Sequence, residues 1–79
     1  MYIEFQLPRG MSTRVMSEAI KADIAIWADR YQVPESAYSQ KTIKYTHRLG
    51  FNNEKYFSLF SMTWDKFAFR IVNIANKRY

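Results

Sequence analysis

The sequence predicts an α+β fold, a single small domain in which one helix packs on an antiparallel sheet in the order β-α-β-β-β. Three observations predict it. Apolar residues alternate with period two near the N-terminus, recur every three or four residues between Ser12 and Tyr31, and return to period two after Lys41. A chain of 79 residues allows one domain (1–79) and sets a low ceiling on its core.

Tyr2 to Leu7 sets Ile3, Phe5 and Leu7 against Tyr2, Glu4 and Gln6, the pattern of a strand with one apolar face. Pro8-Arg9-Gly10 ends it, because proline lacks the ladder donor and glycine frees the backbone to turn. Met16, Ile20, Ile24, Trp27 and Tyr31 then form one helical stripe, with Ser12 or Thr13 as the hydroxyl cap. The helix should stop near Tyr31 to Gln32, since Pro34 disfavours helical geometry at Val33. Pro34 to Gln40 reads as a loop.

Lys41 to Leu49 reads as one strand, with Ile43, Tyr45, His47 and Leu49 on one side and Thr42, Lys44, Thr46 and Arg48 on the other. Gly50 to Glu54 reads as a hairpin loop, and the aromatic-rich Lys55 to Trp64 as the next strand. The last segment fits two patterns. Trp64, Phe67, Ala68, Ile71 and Ala75 would make a helical stripe, but residue type from Phe67 to Val72 favours strand, entered through an Asp65-Lys66 turn. That turn would place Trp64 opposite Phe67, Met62 opposite Phe69 and Phe60 opposite Ile71, all facing the helix. Phe57, Leu59, Val72 and Ile74 would then share the other face, a surface for a second copy or another protein.

Composition narrows the chemistry. Hydrophobic residues make up 48% and aromatics 18%, too many for a disordered chain, and there are no cysteines for a disulfide framework or thiolate zinc site. His47 is the only histidine, better suited to packing or a single hydrogen bond than to catalysis, because the spacing sets no nucleophile or carboxylate beside it. Gly10 and Gly50 are isolated, so no phosphate-cradling loop is present. No apolar run approaches the ~20 residues a membrane helix needs, and the first residues lack a signal-peptide pattern. The expectation is a soluble, cytoplasmic, non-enzymatic domain without a metal or cofactor and with no membrane partner.

The charge has a direction. Residues 1–39 carry four basic and five acidic side chains, whereas residues 40–79 carry eight basic and two acidic ones. Such a polarised field attracts polyanions, of which nucleic acid is the commonest in a cell, although surplus lysine also keeps an aromatic-rich chain in solution. Lys41, Lys44, Arg48, Arg70, Lys77 and Arg78 are the candidate phosphate contacts, with Tyr45 and Tyr79 as stacking candidates.

The opening Met1-Tyr2-Ile3-Glu4-Phe5-Gln6-Leu7-Pro8, the helix after Gly10, and the stretch Tyr56-Phe57-Ser58-Leu59-Phe60-Ser61-Met62-Thr63-Trp64 resemble small accessory and anti-defence proteins of T4-like phages. Within that group the chain resembles TifA-type inhibitors of the ToxN endoribonuclease toxin. The resemblance implies a non-enzymatic protein that binds RNA and neutralises a host toxin nuclease. It also implies that basic residues, rather than His47, carry the function.

Overall fold

The alternation that marks residues 2–7 becomes the centre of the molecule. In the computed structural model, which describes residues 1–65 and 69–75, Tyr2–Gln6 form strand β1, and Ile3, Phe5 and Leu7 are fully buried. Helix α1 (Thr13–Arg30) follows, its first turn capped by the Ser12 hydroxyl, which accepts from the Val15 N–H at 3.4 Å. It ends before Pro34 takes effect. Gln32 adopts φ 56° and the Val33 N–H reaches back to the Ala28 carbonyl at 2.8 Å, a left-handed helix stop made without glycine.

A short 3-10 turn (Glu35–Ala37) leads into β2 (Tyr38–Ile43) and β3 (Thr46–Phe51), and α2 (Glu54–Thr63) precedes β4 (Arg70–Ala75). The sheet is antiparallel with strand order β2-β3-β1-β4. This β-α-β-β-α-β wiring, with the first strand inserted between the third and fourth, is the ferredoxin-like arrangement. The predicted α+β class, the antiparallel sheet and the packed helix all stand.

Three local expectations are corrected. Lys41 to Leu49 is not one strand but two, folded at Lys44-Tyr45, where Lys44 supplies the positive φ (53°) that tight hairpins demand. The predicted loop is correspondingly shorter, with β2 beginning at Tyr38. Lys55 to Trp64 is helical up to Thr63. The Asn53 side chain accepts from the Lys55 N–H at 2.8 Å and caps that helix, so residues 50–54 close no hairpin. The pairing of Phe60 and Met62 with β4 therefore disappears. Ile71 instead opposes Phe5, with a bulge that leaves Val72 between the Asn73 and Ile71 pairs. The proposed Phe67 pairing and the Lys66 half of the turn lie outside the described residues.

Both helices pack on the same side of the sheet, and aromatic rings join the layers. Phe60 of α2 meets Trp27 of α1 at 4.8 Å and Phe5 of β1 at 6.1 Å, both edge-on, and stacks on Trp64 at 4.7 Å. The Trp27 indole donates to Thr63 Oγ1 at 2.8 Å, fastening α1 to α2, and Thr63 in turn donates to the Leu59 carbonyl. Phe60→Ala removes the common member of these contacts. Urea denaturation should show a loss of about 3–5 kcal/mol, whereas an unchanged midpoint would mean that the two helices are held by other contacts.

Candidate functional site: the uncovered sheet face

Because the helices lie on one side, alternate residues of each strand point away from them. Register places these residues in three rows across the sheet. The first runs Ala75, Tyr2, Gly50, Ser39, the second Asn73, Glu4, Arg48, Lys41, and the third Arg70, Gln6, Thr46, Ile43. Cations occupy two of the rows and flank an acidic centre.

Arg48 and Lys41 are direct cross-strand neighbours, a like-charge pair that repels. Glu4 relieves it. Its Oε2 accepts from Arg48 Nε at 3.3 Å and Nη2 at 3.1 Å, while its Oε1 accepts from Asn73 Nδ2 at 2.9 Å. The Asn73 hydrogen bond, together with the Arg48 bond and charge, holds the Glu4 carboxyl below its ordinary range despite an opposing contribution from burial. Arg48 also lies over the Tyr2 ring, 4.2 Å from its centroid.

A hollow of about 270 Å³ sits at the β2–β3 end of this face, lined by Glu4, Lys41, Ile43, Lys44, Thr46 and Arg48. Three predicted phosphate contacts, Lys41, Lys44 and Arg48, thus converge, although Lys44 arrives from the hairpin turn rather than from a strand face. Arg70 is on the same face by register but two strands from Arg48, about 10 Å sideways. Tyr45 sits in the turn, where Arg9 approaches its ring at 5.2 Å. Lys77, Arg78 and Tyr79 lie outside the described residues.

The proposed protein-contact set does not form one surface. Phe57 is a buried core residue on α2, and Leu59 is half-buried on the same helix. Val72 and Ile74 remain exposed on β4, joined by Ile71. Thr42, assigned beside Lys44 on the polar side, faces the helices and binds His47.

His47 is fully buried. Its Nε2 lies 2.7 Å from Gln40 Oε1 and its Nδ1 2.7 Å from Thr42 Oγ1. The amide oxygen can only accept, so Nε2 carries the proton and Nδ1 receives the threonine hydroxyl. Burial, reinforced by the Lys21 charge, lowers the imidazole pKa to about 4. Among the described residues no group of three or more His, Asp or Glu could hold a metal ion, and no helix is long and apolar enough to cross a membrane.

No family model matches the chain, and neither a curated protein nor a solved structure does so.

The depressed pKa of His47 makes stability depend on acidity. With the unfolded imidazole at 6.5 and the folded one at about 4, the unfolded chain binds the proton first. This contribution is whole above pH 6.5 and lost as pH falls to about 4, where roughly 3 kcal/mol has gone. Urea melts between pH 7 and pH 4 should be steeper in pH for the native chain than for His47→Gln. Equal slopes would mean that His47 is charged in the folded state.

Proposed function

We propose that this chain is a non-enzymatic inhibitor that lays RNA across the uncovered sheet face and neutralises a host toxin nuclease by occupancy. The observation that carries the RNA reading is the convergence of Lys41, Lys44 and Arg48 on one hollow, with the Thr46 hydroxyl beside them. Ammonium and guanidinium groups suit phosphate oxygens, the hydroxyl adds a short-range donor, and a shallow face admits a strand without enclosing it. The Glu4 carboxylate holds Arg48 in place and leaves a local excess of positive charge. The nuclease as target rests on the resemblance to phage inhibitors of endoribonuclease toxins.

Phosphate binding releases counterions, so affinity for single-stranded RNA should fall with salt at a log–log slope of about −2 for three contacts. Gel shifts at several salt concentrations measure it. Lys41→Glu should lower affinity on the order of tenfold while circular dichroism stays unchanged. Salt-independent binding, or none at low salt, removes the reading.

A second reading is favoured by β4. It is an edge strand, and Ile71, Val72 and Ile74 are respectively 38%, 47% and 55% exposed. An apolar edge of this kind accepts a further strand from a protein partner, whether a second copy of this chain or a host protein. Complexes made this way survive nuclease treatment and are lost in Val72→Lys. Disassembly by nuclease alone excludes this reading.

A further inference from the structure

Resting on the RNA reading above, we propose that a notch at Gly50 seats one unpaired nucleobase of a single-stranded RNA. Gly50 stands in the first row between Tyr2 and Ser39, at the end of the sheet where β1 begins and β3 finishes. It opens into a hollow of about 320 Å³ whose walls include Tyr2, Ser36, Ser39, Arg48 and Asn52. That volume lies at the small end of ligand pockets, which run from ~300 to ~1,000 Å³, and suits a single nucleotide unit.

The glycine has no conformational reason to be there. Gly10, not Gly50, is the glycine with positive φ. A Cβ built at Gly50 lies 3.4 Å from Ser39 Oγ, 3.9 Å from Met1 O and 4.0 Å from Ser39 O as its nearest neighbours, ordinary contact distances, so a methyl group fits there. Glycine within a strand weakens it, and commonly marks a place where a ligand comes close to the backbone. The missing side chain leaves space beside the backbone for an occupant.

The walls have the chemistry of a base site. The Arg48 guanidinium lies over the Tyr2 ring, 4.2 Å from its centroid, and its planar group is a surface on which a base can stack. The Ser39 hydroxyl supplies an edge contact. Asn52 is oriented by donating from Nδ2 to the Ser36 carbonyl at 2.8 Å.

Arg48 also lines the cationic hollow in the next rows. Rows two residues apart along a strand are separated by about 6.7 Å, twice the ~3.4 Å rise of stacked bases. A base in the notch and a backbone phosphate in the cationic hollow would therefore sit about one row apart, an arrangement open to an unpaired nucleotide.

The test compares a ten-nucleotide single-stranded RNA with inorganic polyphosphate as probes of the intact chain, in fluorescence anisotropy and competition. Gly50→Val fills the notch with a residue that strands favour. RNA affinity should drop about tenfold while the affinity for polyphosphate is unchanged. Gly50→Ala, whose single methyl group meets little, should give a smaller loss in the same direction, and thermal melts confirm that both variants fold. If Gly50→Val binds RNA as tightly as the native chain while Lys41→Glu does not, the notch assignment is wrong and the RNA reading stands. Equal weakening of RNA and polyphosphate also overturns it, since the notch would then hold backbone. A native chain that binds neither probe overturns both.

Discussion

Covering a four-stranded sheet on one side only obliges its central strand to serve two environments at once. β1 lies between β3 and β4, and its odd residues are buried on the side the helices cover while its even residues face away. Ile3, Phe5 and Leu7 are the floor under Phe60 and Trp64, and Tyr2, Glu4 and Gln6 form one column of the open surface. A one-residue slip of β1 would send Glu4 into the aromatic layer and Phe5 into water, so burial fixes the register. Arg48 and Arg70 take their places on the open face from that register.

Electrostatics then decides what the face presents. The basic excess of the C-terminal half reaches the open side through Lys41, Lys44, Arg48 and Arg70, but it is not a uniform positive sheet. Glu4 comes from the acidic half and sits amid them, hydrogen-bonded on both sides. It lets Lys41 and Arg48 stand as neighbours, and it orients the guanidinium that separates the two hollows.

The elements were unequally legible in the sequence. β1 and α1 each have one clean period, and β4 has the residue types of a strand. The second helix hid because Tyr56, Phe57, Phe60 and Trp64 are aromatic, and aromatics weigh toward strand; its signals were the Asn53 cap, Glu54 in the first turn, and the three-and-four spacing of Phe57, Phe60 and Trp64. The β2–β3 turn hid because lysine occupies the left-handed position where glycine or asparagine would announce it. Charge asymmetry pointed to Lys41, Lys44, Arg48 and Arg70, of which the first three line one hollow and Arg70 stands two strands away. It could not place them, because faces depend on the unseen turn. Gly50 has the signature of a loop in the sequence, a lone glycine close to Asn52 and Asn53, so its place in a strand is hidden.

The bond between Asn73 and Glu4 spans 69 positions of the chain. Strands entering a sheet next to far-removed segments must wait for those segments to exist. During synthesis β1 leaves the ribosome before β3 and β4, and it acquires each of them only after the intervening segments have emerged. Its three large apolar side chains spend that interval without a lasting cover. The polar residues interleaved with them break up an otherwise continuous apolar run on the unpaired strand.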